Sequence, residues 1–148
     1  MRGRGVIESS MEAPLLLDTC ATIWISKDEP FSDDARQSLR RAREASEPIY
    51  VSPITAWEIG LLVARGRLNL LMPPSRWFER LLQAPGLRLA EMSPAILMSS
   101  SFLPGTPPND PADRIFAATA REYGYRLVTR DRPLLEYAQE GHIQALTC

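Results

Sequence analysis

Short apolar runs alternate with helix-patterned segments along this chain, and that alternation restricts its possible folds more than any other feature. Pro14–Leu17 is a continuous apolar run of strand length, and Pro48–Val51, Leu87–Ala90 and Arg126–Thr129 read as further strands. His142–Leu146 reads as a last edge strand. Runs that are apolar throughout, rather than alternating, suit parallel strands covered on both faces. The segments between them carry helix boundaries. Ser32 can cap a helix to about Ala45, with Asp33 and Asp34 in its first turn. Ser52-Pro53 opens another that runs to about Arg65 and ends at Gly66. Further helices are predicted from Ala21 onward and over 75–83, 94–102, 111–123 and 133–139. Repeated strand–helix units predict an α/β domain: three layers, α/β/α, around a mostly parallel central sheet. In such sheets ligands gather beyond the carboxyl ends of the strands.

At 148 residues, 45% hydrophobic and 24% charged, the chain has the material for one domain with a real core. Residues 14–148 read as that domain. Residues 1–13 lack periodicity and read as a disordered leader or a start-site extension. A net charge of −1 offers no bulk attraction to nucleic acid, so any polyanion must meet a local patch. Two cysteines, Cys20 and Cys148, read as reduced thiols of a cytoplasmic protein. A single histidine, His142, rules out a His-rich zinc site and argues against a histidine triad. No apolar run reaches the length of a membrane span.

The acids carry the chemistry. Asp18 and Asp131 end strand-like runs, and Asp110 and Asp113 open a small apolar helix. Singly, each reads as readily as a helix cap or as a first-turn acid facing the helix dipole. Glu58 is less easily explained. It shares a helical face with Ile54, Leu61 and Leu62, and a carboxylate there needs a partner, either Arg65 two turns on or a cation. Clustered carboxylates raise one another's pKa unless a positive charge compensates them. A hard divalent ion, Mg²⁺ or Mn²⁺, accepts oxygen ligands of this kind. It could also activate water and neutralise charge on a phosphodiester without a histidine base.

The motifs LLLDTC (15–20), SPITAWEIG (52–60), DPADRIFAATA (110–120) and LVTRD (127–131) stand in one order over nearly the whole chain. Together they resemble the PIN-domain family, and within it the VapC-type toxins of bacterial toxin–antitoxin pairs. The resemblance implies a Mg²⁺- or Mn²⁺-dependent endoribonuclease restrained by a cognate antitoxin. Similar nucleases leave a 3′-hydroxyl and a 5′-phosphate. By position it makes Asp18, Glu58, Asp113 and Asp131 the catalytic and metal-binding acids. Asp110, Thr19 and Thr129 become supporting residues around them.

Arg114, Arg130 and Arg132 flank these acids and are the candidates for contacting RNA phosphates, whereas Arg36, Arg40, Arg41 and Arg43 read as a solvated helical face. Trp24, Trp57, Trp77 and Phe78 read mainly as core. Trp77-Phe78, after the Pro73-Pro74 corner, is the preferred candidate for an exposed antitoxin groove or homodimer face. Two other readings compete. A phosphoaspartate enzyme would want a second aspartate where Cys20 stands, or a lysine after the last strands, and the only lysine is Lys27. A catalytically silent PIN-like module pairing with an antitoxin would be favoured by a missing acid, and none is missing.

Overall fold

The structure is a computed structural model, and it describes residues 13–27 and 31–148. The expected leader, residues 1–13, lies outside the described residues except for Ala13. Among the described residues five strands form one sheet: β1 Leu15–Leu17, β2 Ile49–Val51, β3 Leu87–Leu89, β4 Arg126–Thr129 and β5 Gln144–Thr147. Their order is β3-β2-β1-β4-β5, and every pairing is parallel. The sheet is therefore wholly parallel. The last strand begins two residues later than the sequence suggests, because the turn at Gly141 takes up His142 and Ile143.

Among the described residues seven helices connect and cover the strands: α1 Thr19–Ser26, α2 Asp33–Glu44, α3 Pro53–Ala64, α4 Pro74–Leu82, α5 Pro94–Ser99, α6 Pro111–Tyr123 and α7 Arg132–Gln139. The local chemistry explains their starts. Ser32 accepts the Ala35 N–H at 3.1 Å, Ser52 the Ile54 N–H at 3.1 Å and Ser93 the Ile96 N–H at 3.3 Å. Proline occupies the first turn of α3, α4, α5, α6 and α7, where its missing N–H is harmless. Helix α5 stops at Ser99 rather than near Phe102, and the chain leaves it in successive turns.

Alternate residues of β1 point to opposite faces, and each face has its own core. Leu15 and Leu17 join Ile49, Val51, Leu87 and Val128 against Ala21, Ala35, Leu39 and Leu81 of α1, α2 and α4. Leu16 and Leu127 face Phe116, Ala117 and Ala120 of α6 and Leu134 and Tyr137 of α7. Leu16 and Leu127 are fully buried, and each such side chain contributes about 1.5–3 kcal/mol of transfer free energy. The small buried side chains of α6 let that helix lie close against the sheet. Three layers result, with the expected α/β/α arrangement.

The winding creates a gap. From β1 the chain proceeds outward through β2 and β3, then returns to lay β4 on the other side of β1. The connections after β1 and β4 thus diverge, and a crevice opens beyond their carboxyl ends. Asp18 directly follows β1, and Asp131 follows β4 by two residues.

Candidate active site

Asp18 is fixed from three sides. Its backbone N–H donates to the Val128 carbonyl across the β1–β4 seam at 3.1 Å, extending the ladder one residue past the strand. As N-cap of α1 it accepts the Ala21 N–H on Oδ1 at 2.8 Å. Its Oδ2 accepts the Thr129 hydroxyl at 2.6 Å. The residue is only 6% exposed. Burial raises its pKa; the bonds from Thr129 and Ala21 oppose that rise, and the charge of Asp131 adds to it.

Thr129 does more than hold Asp18. Its fully buried hydroxyl donates to Asp18 and accepts the Asp131 N–H at 3.0 Å, so one oxygen ties two site residues together. Asp131 in turn caps α7, accepting the Leu134 N–H at 3.3 Å. Helix α3 brings Glu58 in from above. The Thr19 hydroxyl donates to Glu58 Oε1 and lies 3.2 Å from the Thr55 hydroxyl. Among the described residues no ion pair joins Glu58 to Arg65, so threonine, not arginine, is the partner of this half-buried acid. Burial raises the Glu58 pKa, the Thr19 bond lowers it, and Asp110, Asp18 and Asp131 push it up again.

At the mouth of α6, Asp110 is the N-cap and accepts the Asp113 N–H at 3.0 Å. Asp113 itself is freed from capping and faces the cleft. Burial and then the charges of Asp131, Asp110 and Glu58 push its carboxyl up to about 8, and it shares a hydrogen bond with Asp131. Asp18, Glu58, Asp110, Asp113 and Asp131 all line one cleft of about 890 Å³. The capping and site roles of this helix opening are divided between its two aspartates.

The arginines are distributed differently from the sequence expectation. Of Arg114, Arg130 and Arg132, only Arg130 lines the cleft. Its guanidinium lies 3.7 Å from the Trp24 ring centroid, and its Nε donates to the Cys148 carbonyl at 3.1 Å. Arg114 follows Asp113 on a helix, where successive residues are turned by about 100°, and its Nη1 is buried without a hydrogen-bond partner among the described residues. Arg132 runs along the flank of α7, 3.8 Å from Glu136. Arg65, which the sequence offers as a partner for Glu58, and Arg67, which it does not single out, are further cleft cations.

The aromatics also need correction. Trp77 and Phe78 are half-buried against the first core, because the amphipathic turn of α4 packs that side onto α3 and β3. The exposed large apolar side chains are instead Trp57, Leu71, Leu89, Leu97, Met98 and Phe102. Trp57 lines the cleft beside Glu58, as do Trp24 and the exposed thiol of Cys20. Cys148 is a second free thiol, buried under Arg130. No helix among the described residues is long and apolar enough to cross a membrane.

A wholly parallel α/β/α sheet with carboxylates gathered at its topological switch point defines a class of acid-site α/β domains. Residues 15–140 match the family model of the PIN domain, and the chain belongs to that family. It is 35% identical over 121 residues to Ribonuclease VapC22 of Mycobacterium tuberculosis, covering 81% of this chain and 88% of that protein. Its fold is similar to that of VapBC2 from Rickettsia felis bound to a promoter DNA fragment, with a TM-score of 0.63 and 15% identity over 90% of this chain and 97% of that one. DNA-bound VapBC from Salmonella typhimurium gives a TM-score of 0.56 and 22% identity over 92% of this chain and 98% of that one.

Proposed function

We propose that this chain is a Mg²⁺- or Mn²⁺-dependent endoribonuclease acting in the cytoplasm as the toxin of a toxin–antitoxin pair. The observation that carries the reading is the meeting of Asp18, Glu58, Asp113 and Asp131, from four separate elements, in one cleft with no histidine or lysine. The similarity to a protein named as a ribonuclease supports the choice of RNA.

Among the described residues no three acids are gathered closely enough to hold an ion as they stand. Their chemistry nevertheless fits one. The donors are all carboxylate oxygens, and burial and mutual repulsion raise the pKa of Asp18, Glu58 and Asp113. A hard divalent cation is the charge that such a set lacks. Asp18, Glu58, Asp113 and Asp131 would hold it. When bound, such an ion supplies an activated water and charge neutralisation at a phosphodiester.

The chain's own residues set the conditions for that chemistry. Asp18 is immobilised by Thr129 and the Ala21 N–H and supplies a fixed oxygen at the floor. Thr19 orients Glu58. Asp113, with its carboxyl near 8, holds a proton at neutral pH until a positive charge displaces it. Arg130, anchored on Trp24 and Cys148, stands at the rim, where it can meet a phosphate.

In this reading the protein also pairs with a cognate antitoxin and forms a homodimer, for which Leu71, Met98 and Phe102 provide exposed apolar surface. The test is cleavage of labelled RNA by purified protein with Mg²⁺ or Mn²⁺, against EDTA and against Glu58→Gln. Cutting that needs both metal and Glu58 supports the proposal. A folded protein that binds RNA or an antitoxin but never cuts would instead establish the silent binding module.

A further inference from the structure

Trp57 is 56% exposed and lines the acidic cleft, although a tryptophan ordinarily hides most of its surface. It precedes Glu58 on α3, so the helix that aims a carboxylate inward also holds an indole at the rim. Arg65 is the C-cap of the same helix, and Gly66, with φ at +70°, turns the chain so that Arg67 also lines the cleft. The Arg65 and Arg67 backbone N–H groups bond within the end of the helix, to the Leu61 and Leu62 carbonyls, whereas their guanidinium groups have no hydrogen bond or ion pair among the described residues. One rim thus offers an open aromatic face and two uncommitted cations, above a floor of carboxylates.

We infer that Trp57 is a stacking platform for an unpaired nucleobase next to the scissile phosphate, with Arg65 and Arg67 holding the flanking phosphates. The inference rests on the nuclease reading and deepens it by naming the residues that seat the RNA strand beside the acids. A phosphodiester lowered to the acids carries its neighbouring nucleotide to the rim, where the indole stands. In a duplex the base faces are occupied by their neighbours and cannot stack on protein; in an unpaired strand they are free. Every base has a π-face, so the indole selects strandedness rather than sequence. The cations also resolve a difficulty of charge. The chain as a whole does not attract RNA, and the floor repels it, so attraction must come from the rim.

The test is a binding titration with a short fluorescent oligoadenylate and with duplex RNA of equal length. It is run with Mg²⁺ in the Asp113→Asn background to suppress cutting. Trp57→Ala should weaken oligoadenylate binding roughly 5- to 150-fold, the range of one lost base–aromatic stack, and leave duplex binding unchanged. Trp57→Phe should recover much of the loss, because a ring remains. Replacing Arg65 and Arg67 together by Gln should lower the salt slope of oligoadenylate binding by about 1.4, roughly 0.7 per phosphate contact on a single strand. Because Trp57 is largely exposed, the variants should melt with their parent.

The inference is overturned if Trp57→Ala binds oligoadenylate like its parent or weakens both RNAs equally. It is also overturned if the substitution abolishes binding of a partner protein and spares RNA, which would make the indole a protein-docking residue. Wild-type cleavage, followed in parallel, keeps the two claims apart. Acid-dependent cutting with Trp57 indifferent removes the platform alone; tight Trp57-dependent binding with no cutting removes the nuclease alone. If the parent binds no RNA and the wild type cuts none, both fall.

Discussion

Replacing Asp113 by Asn should make the metal-free protein more stable, and more so as the pH rises. In the folded chain this carboxyl is pushed from 3.8 up to about 8, first by burial and then by Asp131, Asp110 and Glu58. Folding therefore favours its protonated form. Its contribution is most favourable below pH 4 and is lost progressively as the pH climbs to 8, after which it stays level. Fully expressed, the displacement corresponds to a ceiling of about 5–6 kcal/mol. Asp113 is partly open to solvent, which screens its neighbours, so a gain of ~1–3 kcal/mol in the variant at pH 8 is the sounder expectation. For a domain of this size that is roughly 3–10 °C in Tm. The helix cap is spared, because Asp110 accepts the Asp113 backbone N–H whichever side chain position 113 bears. The assay is thermal unfolding in EDTA at pH 5, 7 and 8.5, repeated with Mn²⁺. The variant should gain little at pH 5 and most at pH 8.5, and Mn²⁺ should raise the wild type more than the variant. A variant that is destabilised at every pH, or Mn²⁺ effects equal in both proteins, would refute the reasoning.

Four other substitutions probe the supports of the site and the turns of the fold. Thr129→Val keeps the shape but strips the hydroxyl that serves both Asp18 and the Asp131 N–H in a fully buried place; a loss of about 2–4 kcal/mol should appear in urea unfolding. Asp110→Ala removes the cap of α6, a loss of about 1 kcal/mol, but also relieves repulsion with Asp113 and Glu58, so its measured cost should shrink between pH 5 and pH 8. Gly105→Ala must hold a side chain at φ +69° and place a Cβ 2.3 Å from His142 Nε2 and 2.6 Å from Glu140 Oε1. It should cost about 1–3 kcal/mol in a thermal melt, whereas Gly66→Ala, with φ +70° but open space around it, should cost only about 1 kcal/mol.

Much of this architecture is written in local sequence. The apolar runs at Leu15–Leu17 and Ile49–Val51, the Ser-Pro opening of α3 and the Asp-Pro opening of α6 each specify an element through its own residues. The approximate positions of the acids follow, because Asp18 and Asp131 must stand where β1 and β4 end. What sequence hides is phase and partnership across the fold. Glu58 could as well have paired with Arg65; only the packing of α3 over α1 puts the Thr19 hydroxyl in reach first. Arg114 neighbours Asp113 in sequence yet is turned off the cleft, while Arg65 and Arg67, seven and nine residues past Glu58, line it. The Trp77-Phe78 pair and Trp57 exchange the roles their neighbours suggest, because burial on α4 and α3 is decided by which helix faces the sheet. Thr129 as a bridge between two acids required three dimensions to see.

Joint measurement of Mn²⁺ binding and RNA cutting in one sample series tests the central claim most directly. Electron paramagnetic resonance would count free Mn²⁺ as it is titrated into wild type and Asp113→Asn, while gel analysis follows labelled RNA in the same tubes. The account predicts that cleavage rises with bound Mn²⁺ in the wild type, and that binding and cleavage fall together in the variant. Cleavage that persists in EDTA, or Mn²⁺ binding and cutting that are indifferent to Asp113, would contradict it.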